Sequence, residues 1–159
     1  MTFFLLKYLH IIGAAVLLGT GSGIAFFMLA AHIQGKPAII AGVARIVVIA
    51  DFVFTATAVV AQPITGLLLV WNVGYAITDG WIMWSIVLYI VTGLFWLPVV
   101  WMQMRLRDLA AAAVERNEPL PDAYYRIFMW WCAFGVPAFA AVAIIYWLMI
   151  AKPQIAFFH

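Results

Sequence analysis

One histidine lies inside a long apolar run near the start of the chain. The run extends from Phe3 to Ile33 and has His10 close to one end. Ionisable side chains are rare in apolar segments of this length and, where they occur, usually mark a functional site. An imidazole in this position can ligate haem iron, take part in proton or quinone chemistry, or hydrogen-bond to a neighbouring helix. The sequence leaves all three interpretations of His10 open.

Small residues surround His10 on its predicted helix. Gly13 and Ala14, three and four positions later, lie on the same helical face as the imidazole. Small side chains leave a slot there, which suits either a close helix contact or the edge of a flat cofactor. An adjacent face carries a row of small residues spaced by four, Ala15, Gly19 and Gly23. Such rows let membrane helices pack closely.

The second apolar segment is interrupted by the sequence from Gln62 to Gly66. Pro63 leaves the carbonyl of Val59 without its usual helical donor, and Gly66 allows another backbone or a ligand to approach. This interruption serves helix packing or shapes a cofactor pocket, and both interpretations stay open. Counting inward along each helix places several residues at the depth of His10, namely Gln62, Gly66, Met83, Ser85, Tyr89, Tyr146 and Met149.

No second histidine lies at this depth. His32 is 22 residues further along the same helix, and His159 is the last residue. A haem held between two histidines is therefore disfavoured, whereas ligation by His10 alone, or by His10 with a methionine, is chemically allowed. We predict a metal ligand at His10 and the following cofactor-binding set: His10, Gly13, Ala14, Gln62, Gly66, Met83 and Tyr89.

Asp51 is the one carboxylate well inside an apolar segment. Burying an unpaired carboxylate is costly, so it is paired, neutral or in contact with water. Arg45 faces the opposite side of the same helix, and Arg105 or Arg126 on another helix is a better partner. We expect an intramembrane ion pair or, alternatively, a proton relay or a site for an anionic group.

Composition sets the class of protein that must position these residues. Of the 159 residues, 69% are hydrophobic and 9% are charged, whereas soluble domains carry about 25% charged residues. The chain is therefore an integral membrane protein in contact with the lipid bilayer. A net charge of +2 with no basic cluster argues against nucleic acid, and the single cysteine, Cys132, excludes an internal disulfide.

Polar breaks divide the chain into four apolar segments. We predict a single transmembrane domain over residues 1–159, with helices at about 3–33, 42–72, 81–117 and 122–151 and Asp122 as a helix N-cap. The first is a retained span, because it is too long for a signal peptide. Short loops join neighbouring helices, so the predicted fold class is all-α, an integral membrane antiparallel four-helix bundle.

Lysine and arginine predict the orientation of the bundle. Six of them lie at one end, and only Lys7 and Lys152 lie at the other. By the positive-inside rule both termini are outside and His10 lies in the outer half of the membrane. The localisation expected is the cytoplasmic (inner) membrane of a bacterium. Phosphate loops, dinucleotide fingerprints and hydrolase motifs are absent from the sequence.

Several short motifs resemble known membrane families. Residues 7–12, the glycines after them and His32 resemble the first helix of the HemJ protoporphyrinogen oxidases and the CopD copper-resistance family. Over nearly its whole length the chain resembles a bacterial four-helix membrane family called domain of unknown function 2269. The HemJ resemblance implies haem b ligation by His10. It does not carry over the oxidase activity, because Ser85 lies near the position of a lysine in that family, and the scattered methionines form no copper cluster.

These observations lead to two hypotheses. The first is a small membrane protein that binds haem b through His10 and has a redox or haem-linked role. The second is a cofactor-free scaffold or accessory subunit, which packs through Ala15, Gly19 and Gly23 against another copy of itself or a membrane-protein partner. The sequence does not decide whether the protein is an enzyme.

Overall fold

The chain folds into long helices. A computed structural model describes residues 2–155, and every regular element within them is helical. The elements are α1 (Thr2–Gln34), α2 (Pro37–Ala50), a π-helical turn (Asp51–Thr55), α3 (Ala56–Val73), α4 (Gly80–Arg116) and α5 (Asp122–Ala151). Because α2, the π-helical turn and α3 are continuous, the described residues form four helices long and apolar enough to cross a membrane. The predicted all-α fold with four membrane helices is confirmed.

Two helix starts differ from the prediction for reasons of backbone chemistry. The second span begins at Pro37 rather than near Gly42, because proline fits the first turn of a helix, where its missing N–H is not needed. Asp122 was expected as the N-cap of the last helix, but Pro121 is the N-cap and makes no side-chain cap. Asp122 is instead inside the first turn, where its charge favours the helix dipole.

Contacts between distant helix ends establish the up-down arrangement. His32, near the end of α1, stacks on Phe128 near the start of α5 with ring centroids 3.7 Å apart. At the opposite end, Nζ of Lys152 donates to Oη of Tyr75 at 3.0 Å. We call the end that carries the start of α1, the turn at 74–79 and residues 152–155 the terminal end. The other is the loop end, since it carries the loops at 35–36 and 117–121.

The main apolar core lies in the half of the bundle nearest the loop end. There α4 packs along α5 and against α2, while α1 packs against α2 and, more briefly, α5. The buried core residues are Ile24, Met28, Ala31, Ile40, Ala44, Val47, Val99, Met102, Leu106, Ala110, Ala113, Leu120, Tyr124, Phe128 and Trp131. In the terminal half, α1 packs mainly against α3, and its described residues before Ile24 are all at least partly exposed. His10 lies in this second region.

Candidate functional site

His10 is anchored to α3 through one ring nitrogen. Its Nδ1 lies 2.9 Å from Oγ1 of Thr65, and the ring is half-buried. The Thr65 hydroxyl also donates to the carbonyl of Ala61 at 2.8 Å, which can only accept. With its proton directed there, Oγ1 accepts from the imidazole, so the hydrogen bond favours the tautomer protonated at Nδ1. The lone pair of the neutral ring is then on Nε2, which makes no hydrogen bond within residues 2–155.

Gln62 fills the slot that was predicted beside His10. The side chain is buried, and its Nε2 donates to the backbone carbonyl of His10 at 2.8 Å. A Cβ added to Gly13 would lie 2.4 Å from Nε2 of Gln62, so glycine is needed for the amide to pass. Of the two uses expected for small residues here, the structure shows a close helix contact at Gly13.

Gly66 brings α3 against the imidazole itself. A Cβ at this position would lie 3.2 Å from Cε1 of His10, which is closer than ordinary van der Waals contact. The structure therefore brings together His10, Gly13, Gln62 and Gly66 from the predicted set. Ala14 is half-buried on the same helix. Thr65 was not singled out from the sequence, although its place between Gln62 and Gly66 and its single hydroxyl were a usable signal.

Tyr89 hydrogen-bonds to the backbone of α3. Its hydroxyl donates to the backbone carbonyl of Val59, the group that Pro63 leaves without a helical donor. Tyr89 thus compensates for the proline and ties α4 to α3. Met83 is half-buried near the start of α4. In the described residues neither side chain hydrogen-bonds to His10, and the principal packing partners of α4 are α5 and α2.

Asp51 is buried at the start of the π-helical turn. It is 2% exposed, and its Oδ1 accepts a hydrogen bond of 3.4 Å from Nε1 of Trp96. The expected ion pair with Arg105 or Arg126 is absent from the described part of the chain, where both arginines are exposed. Long basic side chains near a helix end gain more from water and headgroups than from a carboxylate deep in hydrocarbon.

The charged segment at the end of α4 carries an ion pair between two neighbouring residues. Arg107 pairs with Asp108 at 2.8 Å. The side chains of Arg107 and Asp108 are 35% and 50% exposed. Their ion pair is therefore a solvated surface contact that contributes little to the stability of the protein.

Among the described residues, no other helix covers the small-residue row on α1. Ala15 and Gly19 are exposed, and a Cβ at Gly19 would meet nothing within 4 Å. A Cβ at Gly23 would meet only the ring of Phe27 on its own helix, at 3.9 Å. An open apolar groove follows this row and is lined by Ile12, Ala15, Val16, Gly19, Thr20 and Phe54.

A metal at His10 would have few protein ligands. Residues 2–155 contain no group of three His, Cys, Asp or Glu side chains placed to hold an ion, and His32 is at the loop end. His159 lies outside the described residues. Nε2 of His10 is thus the one ligand that the described site offers to a metal.

Comparison with known proteins gives one match. Residues 4–153 match the model of the family DUF2269, described as a predicted integral membrane protein. Neither the curated proteins nor the solved structures contain a significant match.

Proposed function

The chain belongs to DUF2269, a family of predicted integral membrane proteins, and from this premise we propose that it binds haem b through Nε2 of His10. Its role in the membrane is then a redox or haem-linked one. The observation that carries this proposal is the asymmetry of the imidazole, which is held at Nδ1 by Thr65 and has no partner at Nε2 in the described residues. Histidines that ligate metals commonly donate their second nitrogen to a neighbouring group in this way.

A haem at His10 would have to lie on the side of the imidazole that α3 does not contact. Gln62 and Gly66 occupy the space between α1 and α3, so a porphyrin cannot lie between these helices. It would bind against the part of the ring that α3 leaves uncovered, with Thr65 fixing the ring orientation and Gln62 supporting the helix beneath it. Met83 and Tyr89 stay proposed as further lining residues. Bound haem would supply reversible one-electron chemistry.

An absorption spectrum tests this proposal. We expect protein expressed with ample haem and purified gently to show a Soret band, and His10→Ala to lose it. The matched control is His32→Ala, which removes the other described histidine of α1 and should leave the band unchanged. Wild-type protein without a Soret band, or a Soret band that persists in His10→Ala, would contradict the haem proposal.

We also propose the cytoplasmic membrane of a bacterium as the location, with the terminal end outside. The support is the charge distribution: Lys36, Arg45, Arg105, Arg107, Arg116 and Arg126 are in the half nearest the loop end, whereas Lys7 and Lys152 are at the terminal end. Cytoplasmic ends of membrane helices carry the excess of basic residues. The proposed likeness of the first helix to HemJ and CopD membrane proteins belongs to the same proposal.

A second candidate function is a cofactor-free scaffold or accessory subunit. The specific observation in its favour is that Ala15, Gly19 and Gly23 form a row open to the outside of the bundle, where a helix of another copy could approach closely. Haem-free protein that purifies as a stable oligomer would support this function. Haem-free protein that is strictly monomeric and partner-free would count against it.

A further inference from the structure

The interior face of the second span changes from apolar to polar along its length. From Pro37 to Ala50 its buried residues are all apolar, namely Ile40, Ala44, Val47 and Val48. From the π-helical turn onward the buried residues are Asp51, Thr55, Ala58 and Gln62. Their spacing of four, three and four residues places them on one helical face. Three of the four are polar, which is unusual for the interior of a membrane helix and needs a partner or a function.

Two neighbouring atoms of this face have no hydrogen-bond partner within residues 2–155. Oδ2 of Asp51 and Oγ1 of Thr55 are both fully buried and unsatisfied. The Thr55 hydroxyl lies next to the Asp51 carboxyl, one turn away on the same helix, outside the geometry of a good hydrogen bond. Oδ1 already accepts from Trp96. Unsatisfied buried polar atoms point to a group that is bound there, such as a proton, an ion or water.

Within residues 2–155 no cationic side chain pairs with Asp51. On its own span Arg45 is exposed, and α3, which follows, has no titratable side chain. On α1 the titratable residues are at the two ends, with His10 and His32 the nearest to mid-helix.

The helices α4 and α5 also carry no cation close to Asp51 in the described residues. On α4 the nearest titratable group is Tyr89, whose hydroxyl is bound to Val59. On α5 it is Cys132, which is half-buried. The charge on Asp51 is therefore not neutralised by a side chain of the described residues.

We propose that Asp51 is a proton-binding site in the middle of the membrane, with Thr55 as the acceptor that holds the proton. The carboxylate takes a proton from hydronium at Oδ2 and leaves water behind. The new O–H donates to Oγ1 of Thr55, and Oδ1 continues to accept from Trp96. One proton thus satisfies both unpartnered atoms and removes the buried charge, and no redox partner or bound cofactor is required.

The polar face also indicates from which end of the bundle protons reach Asp51. Gln62 and Tyr89 are the next polar side chains towards the terminal end, and Thr65 with His10 follows them. Towards the loop end, by contrast, the same face of α2 is apolar and belongs to the packed core. Protons therefore exchange with Asp51 from the terminal end. The π-helical turn is where this polar face begins, and such turns in α-helices are frequently found at functional sites.

Infrared spectroscopy of the protein in lipid nanodiscs tests the proposal. Over a pH series we expect the wild-type protein to show the C=O stretch of a protonated carboxylic acid. This band should be absent from Asp51→Asn, and it should shift when the wild-type protein is transferred to D2O. Thr55→Val should lower the proton affinity of Asp51 about tenfold, as expected from the loss of one buried hydrogen bond. Trp96→Phe should move the C=O stretch to higher frequency, because Oδ1 loses its donor.

Matched controls separate these effects from general disturbance of the fold. Thr57→Val changes an exposed threonine that bonds only to its own helix, and Trp101→Phe changes an exposed tryptophan of α4. Both should leave the Asp51 band unchanged. The proposal is overturned if no band depends on Asp51, if the band never exchanges in D2O, or if Thr57→Val lowers the proton affinity as much as Thr55→Val. Because the measurement needs no haem, its result is independent of the Soret test.

Discussion

Two hydrogen bonds join α1 and α3 at His10. One is made by the side chain to Thr65 at 2.9 Å and the other by the backbone carbonyl to Gln62 at 2.8 Å. Interhelical hydrogen bonds in membranes contribute about 0.6 to 2 kcal/mol each. Their larger effect here is geometric, because they fix the ring orientation and leave Nε2 as the free nitrogen. Asp51 has only one such hydrogen bond, which its Oδ1 accepts from the indole N–H of Trp96, and its Oδ2 has no partner in the described residues.

At the scale of a residue, Gly13→Ala should destabilise the protein and Gly21→Ala should not. The new Cβ at residue 13 would lie 2.4 Å from Nε2 of Gln62, whereas nothing lies within 4 Å at residue 21. Alanine favours a helix by about 1 kcal/mol over glycine, so Gly21→Ala is neutral or stabilising. Gly13→Ala gains the same helix propensity, but its new Cβ displaces the Gln62 amide from the His10 carbonyl. Thermal unfolding in detergent should separate the two variants by about 1–2 kcal/mol, and equal stabilities would contradict the contact.

At the scale of the helices, Pro63 and Tyr89 act as a pair. Proline removes the N–H that would bond to the Val59 carbonyl, and the phenol of Tyr89 replaces it from another helix. A buried carbonyl left without a donor is costly. The break in α3 is therefore compensated by a specific side chain, and the same hydrogen bond links α3 to α4.

A double-mutant cycle measures this compensation. Tyr89→Phe in the wild-type background leaves the Val59 carbonyl unpaired and should cost about 1 kcal/mol of unfolding free energy. In the Pro63→Ala background the restored N–H of residue 63 bonds to the same carbonyl, so Tyr89→Phe should cost clearly less. The free energies of unfolding of the four proteins give the coupling energy. Equal costs in both backgrounds would show that Tyr89 does not serve the proline-freed carbonyl.

At the scale of the whole molecule, stability and chemistry occupy different halves. The apolar core is concentrated near the loop end, where α2, α4 and α5 pack together. His10, Gln62 and Thr65 are in the terminal half, where α1 packs mainly against α3. Substitutions at the candidate site therefore leave the main core intact, which makes variants at His10 suitable for functional tests. Asp51 lies between the two halves.

The orientation of the bundle is tested with single cysteines. In a Cys132→Ala background, Thr78→Cys marks the terminal end and Glu118→Cys marks the loop end, and both positions are exposed. A membrane-impermeant maleimide added to spheroplasts should label Thr78→Cys at once and Glu118→Cys only after lysis, because the proposed orientation, based on the positive-inside rule, has the loop end in the cytoplasm. The reverse pattern would place both termini inside.

The sequence by itself determined the membrane class, the four spans and the special status of His10, Asp51 and Pro63. These follow from hydropathy, from helical spacing and from the missing N–H of proline, all of which are local properties. Only the tertiary structure decided that Gln62 fills the slot at Gly13, that Tyr89 bonds to Val59, and that Asp51 pairs with no cation among residues 2–155. Such contacts depend on the rotation and tilt of each helix, and an almost uniformly apolar surface leaves rotation and tilt undetermined until the helices pack.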